Sequence, residues 1–159
     1  MIIMVEGNEG TGKTTLINEI SKSFPSIIVK YPKEVKNVFP FLQQLAQLSH
    51  NIILDRSMIT DLAYRMWDHK PGQMTLEEIG KVLEWKNLKI IYCENDRAFE
   101  NSIERGEDFI TTKELHAQID SNFRKVFALI EAFSNAKVLH YDYDYNDVDE
   151  VIDFLKRYN

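Results

Sequence analysis

Near the start of the chain, Gly7-Asn8-Glu9-Gly10-Thr11-Gly12-Lys13-Thr14 satisfies the pattern G-x-x-x-x-G-K-S/T. An apolar run, Met1-Ile2-Ile3-Met4-Val5, leads into it and ends at Glu6. After it, Leu16, Ile17 and Ile20 fall on one side of a helix that begins at about Lys13. A buried strand, a glycine-rich turn and a helix in that order leave few folds open. The glycines let backbone N–H groups turn inward, and the helix N-terminus adds partial positive charge, so the turn is built to hold phosphate. Average residue usage makes a chance match rare, roughly half a percent over a chain this long. The segment is therefore read as a phosphate loop and not as an ordinary turn.

The rest of the chain repeats the alternation. Strands are expected at Met1–Glu6, Ser26–Tyr31, Asn51–Asp55, Leu88–Cys93 and Lys137–Tyr141, each a compact apolar run with little period-2 alternation, as for strands buried on both faces. Helices are expected near 13–23, 35–49, 58–69, 75–86, 95–104, 113–134 and 147–157. Thr75 and Glu78 have capping-box spacing, and Asp147 suits the N-cap of the last helix. Residues 32–40 and 69–74 read as loops. The fold class that follows is α/β, a three-layer P-loop NTPase arrangement with a parallel sheet of about five strands between helices. No repeat or linker divides the chain, so a single domain over 1–159 is expected.

Composition narrows the function. Nineteen Lys and Arg against 25 Asp and Glu give a net charge of −6, which argues against a nucleic-acid coat. No run approaches the length of a membrane span. The single cysteine, Cys93, cannot form an internal disulfide, and no paired His/Cys spacing suggests zinc. A cytoplasmic setting, with neither nucleic acid nor membrane as partner, is the expectation.

A second motif sharpens the reading. Ile52-Ile53-Leu54-Asp55-Arg56-Ser57 is an apolar strand ending in an Asp-Arg pair. At a strand's carboxyl end the aspartate suits a Mg²⁺-water contact or a base, and the arginine suits a bidentate grip on phosphate. Alone, such a pair is more often a surface ion pair; beside a phosphate loop, the functional reading is favoured.

Together these residues resemble the thymidylate kinase family and its deoxynucleotide and deoxynucleoside kinase relatives. That family opens with E-G-x-D/E-G-x-G-K-S/T-T, here Glu6 to Thr15, and carries a second signature read here as Asp55-Arg56-Ser57-Met58-Ile59-Thr60-Asp61-Leu62-Ala63-Tyr64. Its Phe-Pro segment is echoed by Tyr31-Pro32-Lys33-Glu34. The short chain resembles a compact, phage-type version.

The resemblance implies an ATP-dependent nucleotide kinase with Mg²⁺. Gly7, Asn8, Glu9, Gly10, Thr11, Gly12, Lys13, Thr14 and Thr15 would hold the donor phosphates, with Lys13 catalytic and Thr14 and Asp55 on the metal side. Arg56 would grip the acceptor phosphate, Glu9 the sugar side, and Tyr64 would pack on the deoxyribose or serve only as a core tyrosine. Tyr31, Lys33 and Arg65 complete the acceptor set; Lys30 or Lys36 could replace Lys33, and Arg65 could equally face solvent. A lid is implied near 104–112, with Arg105 closing over the transferring group and Arg97 behind it; Glu107 and Asp108 would orient it or form a solvated turn. The departures are Asn101 in place of a lid Arg, Arg65 in place of a Gln, and no Arg between Pro32 and Asp55, which leaves the base identity open. The activity implied is transfer of the ATP γ-phosphoryl group to a deoxynucleoside monophosphate, dTMP-like or broader, in an enzyme that is a homodimer in many relatives. A deoxynucleoside kinase, or a non-catalytic nucleotide-binding regulator, is the alternative.

Overall fold

The computed structural model describes residues 1–32, 34–106 and 112–157. Five parallel strands form one sheet in the order β2-β3-β1-β4-β5: β1 (Ile2–Glu6), β2 (Ser26–Lys30), β3 (Asn51–Asp55), β4 (Leu88–Cys93) and β5 (Lys137–Tyr141). The helices are α1 (Lys13–Ser23), α2 (Phe39–Ala46), α3 (Met58–Asp68), α4 (Leu76–Leu83), α5 (Ala98–Glu104), α6 (Lys113–Phe133) and α7 (Val148–Arg157). The expected α/β class, with helices on both faces of an all-parallel sheet, is what the chain adopts.

Strand pleat divides the core in two. Ile2 and Met4 of β1, Ile52 and Leu54 of β3, and Ile90 and Tyr92 of β4 face one side, packed on Ile59 and Ala63 of α3, Val82 of α4 and Phe123 and Phe127 of α6. Ile3, Val5, Ile53 and Ile91 face the other, packed on Leu16, Ile17 and Ile20 of α1 and Val151, Ile152 and Leu155 of α7. Every residue of β1 and β4 is buried, the charged Glu6 and Lys89 together with the apolar residues around them.

Three expectations need correction. The edge strands β2 and β5 are not buried on both faces: Ile27 and Ile28 of β2 are 44% and 46% exposed, and His140 of β5 is exposed. Apolar content marks a strand but does not say whether helices cover both its sides. The helix expected over 35–49 is shorter, Phe39–Ala46, because Pro40 has no N–H to give and fits only the first turn, while Asn37 Oδ1 accepts the Phe39 N–H at 3.0 Å. For the same kind of reason α5 starts at Ala98, since Asn95 Oδ1 accepts the Arg97 N–H at 3.0 Å and turns the chain first. The capping box is formed, with Thr75 N–H donating to Glu78 Oε2 at 2.8 Å and Glu78 N–H to Thr75 Oγ1 at 3.2 Å. Asp147 Oδ1 accepts from Asp149 N–H at 3.4 Å at the start of α7.

Parallel pairing places all carboxyl ends on one edge. The register Val5↔Asp55 sets the loop after β1 beside the turn after β3, at the crevice where this sheet order reverses direction.

Candidate functional site

Gly7, Gly10 and Gly12 all have positive φ, and Gly12, at φ 80°, is the N-cap of α1. A Cβ on Gly10 would lie 1.8 Å from the Ala98 carbonyl oxygen, and one on Gly12 2.8 Å from the Tyr143 ring. Only glycine lets α5 and the segment after β5 approach the loop this closely. Asn8, Glu9, Thr11 and Lys13 are buried, whereas Thr14 and Thr15 are exposed in the first turn of α1, which carries no acid to offset its positive end. Thr11 Oγ1 donates to the Asn8 carbonyl at 2.9 Å, and the Lys13 ammonium donates to that same carbonyl. The start of α6 pins the loop from outside: Asn8 Nδ2 donates to the His116 carbonyl at 2.9 Å, and His116 Nε2 stands 3.0 Å from the Glu9 carbonyl.

After β3 the chain turns sharply. Arg56 has φ 69°, a left-handed conformation held by its N–H bond to the Val5 carbonyl at 3.1 Å. The turn brings its guanidinium within 4.0 Å of Glu9 Oε1, with Cζ 6.0 Å from the centre of the Tyr64 ring. Ser57 caps α3 by accepting the Ile59 N–H at 3.2 Å. Beneath this turn lies Glu6, fully buried, with Oε2 accepting from Thr60 Oγ1 at 2.6 Å and Oε1 lacking a partner. Burial raises its pKa to about 7, against hydrogen bonds from Ser57 and Thr60 and the charges of Arg56 and Lys13. Asp55 is half-buried at the sheet edge, in register with Val5 on one side and Lys30 on the other.

A cleft of about 240 Å³ opens between these two turns, lined by Glu9, Tyr31, Arg56, Ser57, Thr60, Asp61, Tyr64 and Gln73. The Tyr31 hydroxyl is buried there without a hydrogen-bond partner, and burial, with the carboxylates of Asp61 and Glu6, pushes its pKa upward. Tyr64 meets Phe123 of α6 edge to face. Asp61 is half-buried; burial lifts its pKa against the Gln73 N–H bond and the Arg65 charge. Arg65 Nε lies 3.3 Å from Asp61, and its guanidinium packs against Gly72, so it stands behind the lining residues.

On the other side of the loop, the Tyr143 hydroxyl is held by Asn101 Nδ2 and by Asn95 Oδ1, the latter at 3.1 Å. Asn95 Nδ2 donates to Asp142 and Asp144, and Arg97 pairs with Asp144 at 2.9 Å. Arg105 is exposed at the C-cap of α5. Lys33, and residues 107–111 of the expected lid with Glu107 and Asp108, lie outside the described residues.

The fold thus gathers Glu9, Lys13, Asp55, Arg56, Tyr31 and Tyr64 at one edge, with Arg65 just behind. Sequence reasoning missed Gln73, which has no motif of its own, and His116, a lone histidine until α6 meets the loop; Asp61 stood within the second signature without a role. Glu6 and Thr60 were visible only as letters within the motifs. Among the described residues, no group of three or more His, Cys, Asp or Glu forms a metal cage. Thr14 and Asp55 offer hydroxyl and carboxylate oxygens at the accessible edge. Those hard donors, few in number, suit Mg²⁺ carried in on nucleotide phosphates.

No family model matches the chain. A protein described as "Putative thymidylate kinase" from Acidianus bottle-shaped virus is 37% identical over 82 residues, 46% of this chain. The match spans about half of that viral protein's length, 52%. YorR of Bacillus subtilis, solved in complex with phosphorylated GDP, superposes with a TM-score of 0.77 at 21% identity, covering 99% of this chain and 96% of its own. The deoxyadenosine kinase of M. mycoides, solved with products dCMP and a flexible dCDP, gives 0.64 at 22% identity over 99% and 97%; its dCTP-bound form gives 0.67 at 18% over 99% and 100%. The likeness to these solved structures runs the length of the chain and gives it the fold of P-loop nucleotide kinases.

Proposed function

We propose that this chain is a deoxynucleoside monophosphate kinase that transfers the γ-phosphoryl group of ATP to a dNMP, giving dNDP and ADP. The carrying observation is the Arg56 turn, which aims a guanidinium into a cleft that opens directly beside the phosphate loop. An acceptor that already bears a phosphate needs such a cation at that place.

In this reading the amides of Gly7 to Thr15 and the Lys13 ammonium hold the donor phosphates. Thr14 and Asp55 would hold Mg²⁺, which when bound neutralises phosphate charge. Arg56 grips the acceptor phosphate, Glu9 and Tyr64 border the sugar, and Tyr31, Arg65 and Lys33 shape the remainder of the acceptor side. An acceptor phosphate oxygen forms a bond to the γ-phosphorus as the bond from that phosphorus to the β–γ bridging oxygen breaks, and ADP leaves with the electron pair. The phosphate monoester, with its second pKa near 6, is already largely a dianion at neutral pH, so no strong base is required. Arg105, exposed at the C-cap of α5, is the cation proposed for the charge that develops in transfer, with residues 107–111 of the lid expected near 104–112 outside the described residues. A cytoplasmic setting suits an ATP donor and the free, buried thiol of Cys93, and a homodimer is the proposed assembly. Among the described residues no helix is long and apolar enough to cross a membrane.

The second reading is a deoxynucleoside acceptor, favoured by the likeness to a protein named deoxyadenosine kinase. Asp55 or Glu9 would then take the proton of a sugar hydroxyl. Acceptor-dependent ADP release with Mg·ATP across dNMPs and deoxynucleosides separates the two. Lys13→Ala is expected to lower turnover by about two orders of magnitude or more, in line with the loss of a charge-stabilising donor. Arg56→Ala is expected to raise the KM for dNMP and lower kcat. Wild-type turnover in both variants would overturn the site.

A further inference from the structure

We propose that the far end of the acceptor cleft selects a base carrying an exocyclic amino group (adenine, cytosine or guanine) and rejects thymine. The inference rests on the acceptor cleft assigned above and concerns only what its wall can offer a base.

The argument is an accounting of protons. Gln73 lines the cleft, and its side-chain amide nitrogen donates to the Pro32 carbonyl at 2.7 Å and the Val35 carbonyl at 2.8 Å. Carbonyls only accept, so the orientation of that amide is fixed by its partners. Both of its protons are spent, and its backbone N–H is spent on Asp61 Oδ2 at 3.3 Å. What remains for a ligand is Oε1, an acceptor. Asp61, one helical turn from Arg65 and 3.3 Å from its Nε, presents a carboxylate, which only accepts. The Thr60 hydroxyl has given its proton to Glu6 Oε2. Tyr31, buried and without a partner, lines the cleft with a hydroxyl whose proton can turn either way.

A wall with two committed acceptors and an adaptable hydroxyl calls for a donor edge. Adenine presents its 6-amino group, cytosine its 4-amino group, and guanine an N–H beside its 2-amino group. Thymine presents one N–H flanked by two carbonyls, so lone pairs would face the lone pairs of Asp61 and Gln73. A buried polar group left unmatched costs far more than a matched one gains, which is what makes such walls selective. The absence of arginine between Pro32 and Asp55 removes the obvious donor for a thymine carbonyl on that side.

The test is kcat/KM with Mg·ATP for dAMP, dCMP, dGMP and dTMP and the four matching deoxynucleosides, together with calorimetric Kd values for the four dNMPs. At least one amino-bearing dNMP is expected to exceed dTMP by about tenfold or more, the scale on which a hydrogen-bonding site rejects a mismatched partner. Asp61→Asn, which turns one acceptor oxygen into a donor, is expected to shrink that ratio severalfold while circular dichroism remains that of the folded chain. Equal or better use of dTMP by the wild type overturns the inference and leaves the kinase reading standing. The same base ranking among deoxynucleosides alone upholds the inference and moves the acceptor to an unphosphorylated sugar. With no transfer to any acceptor, the kinase reading falls and the calorimetric ranking decides: tighter amino-base dNMPs uphold the wall, and equal affinity or no binding overturns it.

Discussion

Glu6 ends β1 with its carboxyl wholly enclosed, and burial, outweighing its hydrogen bonds and cationic neighbours, lifts its pKa from 4.5 to about 7. In that interval the folded chain keeps a proton that the unfolded chain has released, so the group's contribution to stability is full below about 4.5 and is lost as pH rises through about 7. Glu6→Gln cannot ionise and has no such slope. A thermal-melting series across this window should therefore show the wild type losing ground to the variant as pH rises, with the gap constant above it. Parallel curves would mean that the carboxyl is charged throughout. Acids elsewhere with lowered pKa values, such as Asp68 beside Lys70 and Asp144 beside Asn95 and Arg97, are present in both proteins and drop out of the difference. The same carboxyl, through Thr60, forms the floor of the acceptor cleft, so its protonation sits one hydrogen bond from the proposed substrate.

At the scale of elements, α4 matters for where its N-terminus puts the preceding loop. Thr75 caps the helix, and two residues upstream Gln73 reaches back to the carbonyls of Pro32 and Val35. Thr75→Ala is expected to cost about 1 kcal/mol, the usual loss for an N-cap, read as a lower denaturant midpoint at unchanged slope. An unchanged midpoint would mean that the cap contributes nothing. This loop also shows where sequence reasoning stops. β1, β3 and β4 declare themselves because each is dominated by large apolar residues, with only Lys89 interrupting β4, and the two signatures name Lys13, Asp55 and Arg56 because phosphate chemistry needs those groups at fixed offsets from a strand end. β2 and β5 carry similar runs, yet they lie at the sheet's edges, a fact set by topology and not by local composition. Gln73 acquires its meaning from hydrogen bonds 41 and 38 residues away, and Asp61 from the loop that Gln73 anchors. No local pattern encodes such a partnership.

For the whole molecule, α3, which lines the proposed acceptor cleft, and α6, which packs on it, also carry an apolar outer surface. Asn122 of α6 donates to the Ala63 carbonyl of α3 at 3.0 Å, locking the two helices beneath the cleft. On their outer side, with α4, they leave Met66, Leu76, Leu129 and Phe133 exposed by 41%, 76%, 58% and 84% around an open groove of about 510 Å³. Single exposed apolar residues are ordinary, but four around one groove, on helices otherwise rich in charge, mark a surface with a use. A second copy of the chain related by a twofold axis can cover it, since each copy supplies both the groove and the Phe133 side chain to fill its partner's. Sedimentation at micromolar concentration is expected to give twice the chain mass of 18.7 kDa. Phe133→Asp, which buries a charge in that contact and touches nothing in the cleft, is expected to halve it. A wild type that sediments as a single chain would assign this face to some other partner and detach assembly from the acceptor site.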